Sequence, residues 1–259
     1  MTTVAFDAMG GDYAPVETVK GAVLAIKEYS DIVIKLIGKK ELLEKELSKY
    51  EYDKQLIKII DTREVISNDD VPTIAIRSKK NSSLVVAMKM VKNEEADAFV
   101  SAGSTGAILV GGQTLVGRIK GIRRPPLCPL LPTANGFSLL IDCGANVDAK
   151  PENLLQFAQI GSIYYENIIG KKNPTVAIVN IGSEEEKGNQ LVKDTYPLLK
   201  ECSSINFIGS IEAREIPAGG ADVIVCEAFV GNVILKLFEG LAGTLLKEIK
   251  TGMMSSFRS

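Results

Sequence analysis

Short apolar stretches alternate along the chain with longer segments in which apolar residues recur at steps of three and four. Residues 3–8, 31–38, 55–60, 97–101, 138–142, 175–180 and 222–226 are brief, apolar runs and read as strands. Residues 15–29 place Val16, Val19, Val23 and Ile26 on one helical face, with Pro15 suited to a first turn. Residues 39–50 read as a charged helix, and residues 83–91 as a helix with Leu84, Met88 and Val91 aligned. The polar stretch 62–83 has no clear period. Apolar strands separated by helices predict an α/β fold, a mainly parallel sheet with helices on both faces. The reading is of one α/β domain over residues 1–259, with the proline-rich stretch 124–132 as the candidate lobe boundary or irregular crossover.

The last segment has its own pattern. From Asn232 onward, Ile234, Phe238, Leu241, Leu245, Ile249, Met253 and Phe257 form a stripe, with Lys236, Lys247, Lys250 and Arg258 mostly off it. Such a stripe serves either a core or dimer helix or an amphipathic surface that meets a membrane. No uninterrupted apolar run reaches the ~18 residues of a membrane-crossing helix, so none is expected. The first residues, MTTVAFDAMGGD, lack the basic and long apolar regions of a signal peptide.

Composition narrows the chemistry. The 259 residues carry 30 Lys plus Arg against 32 Asp plus Glu, a formal charge of −2, which argues against a nucleic-acid binder. There is no histidine. That removes Ser-His-Asp and Cys-His nucleophile pairs, histidine-liganded zinc and histidine general bases together. There is no tryptophan and only 6% aromatic residues, which disfavours base-stacking platforms. The four cysteines, Cys128, Cys143, Cys202 and Cys226, lack any CxxC spacing and read as thiols in a reducing cytoplasm.

Five strand ends run into turns of small and polar residues: DAMGGD at 7–12, SAGSTGA at 101–107, DCGANVDAKP at 142–151, NIGSEEEKGN at 180–189 and EAFVGN at 227–232. Ligands of open α/β sheets bind at the carboxyl ends of the strands, so these turns are expected to share one sheet edge and line one cleft. Glycine allows close backbone approach, and the following helix favours an anion. In SAGSTGA, amides around Gly103 and Gly106 with the hydroxyls of Ser104 and Thr105 suit a phosphate; a turn that uses these residues for geometry alone is the plainer alternative. No GxGxxG follows the first strand, and neither GxxxxGK[ST] nor GxSxG occurs. Asp142, Asn146 and Asp148 fit either Mg²⁺ or hydroxyl binding, or turn and cap bonding. Lys187 stands in an acidic run and suits a phosphate or a developing oxyanion. Arg118, Lys120, Arg123 and Arg124 put four cations in seven residues, a patch for an acidic partner or simply a solvated loop.

The ordered set DAMGGD, SAGSTGA, DCGANVDAKPENLLQFAQIG, NIGSEEEKGN, IEAREI and FVGNVILKLFEG resembles the bacterial phosphate acyltransferase (PlsX) family, the acyl carrier protein–dependent enzymes of phospholipid synthesis. The resemblance implies an α/β/α sandwich related to isocitrate and isopropylmalate dehydrogenases and to phosphotransacetylases, with a protruding helical pair toward the C-terminal end. It implies a cytoplasmic homodimer in peripheral contact with the membrane. The implied reaction takes an acyl carrier protein thioester and inorganic phosphate to acyl phosphate and free carrier protein, with no cofactor and no metal. The family usually has Asn at the position of Ser104 and often Asp-Gly at Glu227-Ala228. It also usually continues ~70 residues further, through GGAPLLG-like and HGSS-like segments, so the chain is expected to lack that C-terminal part.

Phosphate is largely ionised at neutral pH and needs no histidine base, and a thiolate leaves readily. On the matched motifs, Lys187 and Asn232 are the expected catalytic pair, one offsetting charge and the other donating a hydrogen bond. Gly103, Ser104, Thr105 and Gly106 would cradle phosphate. Asp7, Gly10, Gly11, Asp142 and Asn146 would line the site, with Arg214 as a cation beside the carboxylates. Arg118, Lys120, Arg123 and Arg124 would dock the carrier protein, and Leu245, Ile249, Met253, Met254 and Phe257 would form the membrane tip. Three rival readings are a dehydrogenase-like oxidoreductase, a short-chain phosphotransacetylase and a non-enzymatic membrane scaffold.

Overall fold

The computed structural model describes residues 1–254. The chain divides into two compact units, Met1–Lys120 and Gly121–Ser259, each built on its own sheet.

In the first unit the expected elements appear in order: β1 (Thr2–Asp7), α1 (Val16–Glu28), β2 (Ile32–Gly38), α2 (Lys40–Leu47) and β3 (Ile57–Asp61). The polar stretch without a period contains a short helix, α3 (Pro72–Ser78), with proline in its first turn. Then come α4 (Ser83–Lys92), capped by the Ser82 hydroxyl, β4 (Ala98–Ser101), and α5 (Thr105–Gly111), which runs on into a π-helical turn over Gly112–Val116. The strands are all parallel in the order β3-β2-β1-β4. Successive strand residues bury opposite faces. Ile34 and Leu36 pack on Val19, Val23 and Ile26 of α1 and on Leu43 and Leu47 of α2. Ala5 and Ile37 pack on Ala87 and Met90 of α4. Each large buried side chain adds about 1.5–3 kcal/mol.

The second unit has β5 (Leu130–Thr133), β6 (Gly136–Ile141), α6 (Pro151–Tyr164), β7 (Thr175–Val179), α7 (Gln190–Glu201), β8 (Asn206–Ile211), β9 (Val223–Val225) and α8 (Ala228–Met254). The sheet order is β5-β6-β9-β7-β8; β6, β9, β7 and β8 are parallel, and only β5 is antiparallel. Leu139, Ile141, Val176, Ile178, Val223 and Val225 bury one face beneath α6 and α7, around Phe157 and Leu199. Leu140, Ala177 and Ile224 bury the other face, with Val230, Ile234, Leu235 and Phe238 of α8 packed against that cluster.

The sequence reads as one sheet edge; the structure has two sheets. Strand–helix alternation carries no signal for where strand pairing stops, and the division falls beside the basic and proline-rich stretch. Among the described residues one helix, α8, occupies the place expected of a helical pair. By length and composition alone α8 is also long and apolar enough to cross a membrane, contrary to expectation. Its charges at Lys236, Glu239 and Lys247 interrupt every long apolar run yet are too sparse to offset the leucines.

Candidate active site

In the first unit, the chain goes outward from β1 to β2 and β3, then returns to place β4 on the other side of β1. The carboxyl ends of β1 and β4 therefore form a topological switch point, where an open parallel sheet offers a crevice. The turns 7–12 and 101–107 both leave from it, since Asp7 and Ser101 are register partners. Asp7 is 1% exposed. One of its carboxylate oxygens accepts from the Ser101 hydroxyl at 2.7 Å and the other from the Met9 N–H at 3.3 Å. Ser101 in turn accepts from the Gly103 N–H at 3.0 Å. The two turns thus touch backbone to backbone: a side chain on Gly10 would begin 2.9 Å from the Gly103 nitrogen. Gly11 has φ +105°, a conformation that disfavours other residues.

Ser104 caps α5, its hydroxyl accepting from the Ala107 N–H at 3.4 Å. The first-turn amides of Thr105 and Gly106 have no acceptor within the helix. Thr105 is exposed and Ser104 half-buried. Gly106 has a packing reason as well, because a side chain there would meet Pro72 at 2.9 Å.

In the second unit the expected residues follow β6, β9, β7 and β8, which end along one sheet edge. Asp142 is fully buried and accepts four hydrogen bonds: from the Leu127, Gly144 and Ala145 N–H groups and, at 2.7 Å, from the Asn146 side chain. Asn146 also donates to the Pro125 carbonyl. Both residues hold the 142–146 turn in shape, while Asp148 is exposed. Among the described residues, no group of three potential metal ligands occurs.

α8 begins against this turn. The Glu227 carboxylate caps it, accepting from the Phe229 N–H at 2.7 Å and the Val230 N–H at 2.9 Å. Gly231 lies so close to the Asp142 carbonyl that a side chain would run into it, and would stand 2.8 Å from the Cys143 Cα. Asn232, the next residue, is exposed.

Lys187 lies in the loop after β7, and β7 is the hydrogen-bonded neighbour of β9. Its side chain is 50% exposed and its ammonium pairs with Glu184 at 2.8 Å. The hydrogen bond and charge of Glu184 raise the Lys187 pKa, and the Lys187 hydrogen bond lowers that of Glu184. Lys187 is therefore a fixed cation at neutral pH rather than a proton acceptor. The loop is organised by buried Asn180, whose side-chain amide donates to the Lys187 carbonyl at 3.1 Å and to the Ser210 hydroxyl at 3.1 Å.

Other expected residues sit apart from these bonds. Arg214 is 78% exposed and pairs with Glu212 at 3.0 Å. Arg118 and Lys120 are exposed near the end of the first unit. Arg123 and Arg124 are exposed in the second, where Arg124 donates to the Asp148 carbonyl at 3.5 Å. Leu245, Ile249, Met253 and Met254 are all exposed on α8, and Phe257 lies outside the described residues. Two of the four cysteines, Cys143 and Cys226, are buried; Cys128 and Cys202 are partly so. Burial, and then the Asp142 charge, push the Cys143 thiol up to about 12, so it is no thiolate nucleophile at neutral pH. Sequence reasoning missed Ser101, Asn180 and the capping role of Glu227. Glu227 directly before an apolar helix is a readable cap signal; the bonds of Ser101 and Asn180 depend on strand order.

Parallel sheets with helices on their faces and polar turns at their carboxyl edges define an α/β protein, and structural comparison finds the same fold in other proteins. The EutD phosphotransacetylase from Staphylococcus aureus superimposes with a TM-score of 0.67 at 16% identity, over 93% of this chain and 82% of that one. A 4-hydroxythreonine-4-phosphate dehydrogenase from Burkholderia phymatum gives 0.51 at 16% identity, over 91% and 82%. These likenesses show the fold. A family model described as "Fatty acid synthesis protein" matches residues 2–259. A phosphate acyltransferase of Clostridium novyi is 53% identical over 256 residues, 99% of this chain and 77% of that protein. One of Alkaliphilus oremlandii is 56% identical over 247 residues, 95% and 73%. The chain belongs to this fatty acid synthesis protein family, the family of the phosphate acyltransferases, and is an enzyme of that kind.

Proposed function

We propose that the chain moves a long-chain acyl group from an acyl carrier protein thioester to inorganic phosphate, giving acyl phosphate for phospholipid synthesis. The observation that carries the reading is the placement of Lys187 and Asn232. They follow the neighbouring strands β7 and β9 at one sheet edge, one a fixed cation and the other an exposed amide on a helix anchored by Gly231.

A phosphate oxygen attacks the thioester carbonyl carbon, and a C–O bond forms. The carbonyl oxygen gains negative charge, which the Asn232 amide stabilises by a hydrogen bond and Lys187 by its charge. As the carbonyl re-forms, the C–S bond breaks and the thiolate leaves. The proton carried by hydrogen phosphate ends on the sulfur, so the products are acyl phosphate and free thiol. No step requires a histidine. Within the first unit by itself, the amides of Thr105 and Gly106 with the Ser104 and Thr105 hydroxyls offer a turn suited to phosphate oxygens. Asp7, Gly10 and Gly11 shape that turn, and Asp142 with Asn146 shape the start of α8. Arg214, held by Glu212, balances carboxylate charge.

The acidic carrier protein docks on Arg118, Lys120, Arg123 and Arg124. The exposed residues Leu245, Ile249, Met253 and Met254 support a peripheral membrane contact by a cytoplasmic enzyme, and α8 also offers a surface for a homodimer. The test is to mix protein, long-chain acyl carrier protein and phosphate, and to follow free thiol and acyl phosphate together. Phosphate-dependent release of both supports the reading. Release from acetyl-coenzyme A alone would favour a short-chain enzyme instead.

A further inference from the structure

The first unit contains a cavity of about 510 Å³ bounded by α3, α4 and the π-helical end of α5. That volume lies in the range of small-molecule pockets. Its floor is apolar: Ile76 and Val85 are buried there, with Val110 and Leu115 beside them. The other lining residues are three exposed cations, Arg77 and Lys80 from the α3 side and Lys89 from α4, with Thr73 and Thr114. None of the lining residues is acidic. Among the described residues none of the three cations is paired with a carboxylate. Asp70, the acid just before α3, is taken by Lys79 at 2.6 Å.

Three cations around one hollow repel one another and create a positive potential that an anion relieves. The apolar floor offers nothing to a bare inorganic ion but rewards a hydrocarbon chain. No aromatic ring lines the cavity, so it lacks a stacking surface for a nucleobase. We propose that this cavity binds a single-chain anionic amphiphile as a free monomer, its alkyl chain on Ile76, Val85, Val110 and Leu115 and its head group on Arg77, Lys80 and Lys89. Its lining residues Val110 and Thr114 stand six and ten residues past the Ser104 cap, about 9 and 15 Å along α5 at the helical rise per residue. It goes beyond the transfer reaction and does not depend on it.

The chain has no tryptophan, so Thr114→Trp at the cavity wall introduces a sole indole reporter. The whole protein carrying T114W is titrated with dodecyl phosphate below its micellar concentration. The expected result is a saturable change in emission, with none from dodecanol or from inorganic phosphate at the same concentrations. Adding Arg77→Glu and Lys80→Glu weakens the apparent affinity about tenfold or more, the loss of charge-assisted hydrogen bonds. Lys89→Gln, a milder change, weakens it in the same direction if the double variant fails to fold. Equal response to dodecanol, absence of saturation, or affinity indifferent to every charge change overturns the proposal. So does a response to phosphatidylglycerol vesicles with none to the monomer, which would make the ligand a bilayer headgroup. Dodecyl phosphate also resembles the acyl phosphate of the proposed reaction, so Lys187→Ala is titrated in the T114W protein as well: unchanged affinity assigns the signal to this cavity, and a loss matching that of the cavity variants overturns the proposal.

Discussion

The Ser101 hydroxyl donates to the buried Asp7 carboxylate at 2.7 Å and joins two glycine turns that lie 94 residues apart in sequence. Among the described residues no cation pairs with Asp7; the Ser101 hydroxyl and the Met9 amide donate to its carboxylate. The carboxylate therefore shapes the turns that flank it.

Ser101→Ala leaves an Asp7 oxygen and the Gly103 N–H unpaired in a closed setting. The expected cost is about 1–3 kcal/mol by denaturant unfolding. Ser101→Thr keeps the hydroxyl and should recover part of it. An alanine variant as stable as the parent would show that the pair carries no strength.

Gly231 and Gly240 lie on the same helix in opposite situations. A methyl at Gly231 meets the Asp142–Cys143 backbone, whereas nothing stands within 4 Å of one at Gly240. Gly231→Ala should destabilise by about 1–3 kcal/mol or more as α8 is pushed off its seat. Gly240→Ala should stabilise by about 0.5–1 kcal/mol, through helix propensity and a less flexible unfolded chain. Thermal unfolding of the two variants side by side distinguishes them, and equal shifts would remove the seating argument.

Asp222 joins the starts of β7 and β9. Burial pushes its pKa up, but the Lys171 ion pair at 2.7 Å and the Thr175 amide and hydroxyl outweigh that and lower it overall. A carboxyl with a depressed folded-state pKa adds stability that is present above its unfolded value and is lost as pH falls through its folded value. Stability should therefore decline as pH drops below about 4. In Asp222→Asn that part of the decline should be absent, with lower stability at neutral pH. Parallel acid titrations of parent and variant would contradict this.

Much of the architecture was legible in the chain. Short apolar runs marked β1, β2, β3, β4, β6, β7 and β9, because strands packed between helices leave little room for polar residues. Two edge strands were not legible. β5 contains Pro132, tolerable only where the ladder is open, and β8 reads NFIGSI and bulges at Ile208. The turns after β1 and β4 were visible as candidate sites, but the Asp7–Ser101 bond required knowing that β4 returns to the side of β1. The stripe of α8 was visible throughout. That it changes from core packing at Phe238 to exposure from Leu241 onward was not, since periodicity shows which face is apolar and not what covers it.

Leu245 and Ile249 are each more than half exposed on α8. Replacing both with Ser should sharply reduce sedimentation with anionic vesicles while leaving turnover of soluble acyl carrier protein substrate within about twofold, as expected of surface changes. Undiminished vesicle binding would remove α8 as the membrane contact.

The most direct test of the account is single-turnover thiol release from long-chain acyl carrier protein with phosphate, comparing the parent with Lys187→Ala and Asn232→Ala. Each variant should lose about a hundredfold or more in rate, as when an oxyanion donor is removed, with unfolding curves little changed. Rates equal to the parent in folded variants would contradict the assignment of this pair.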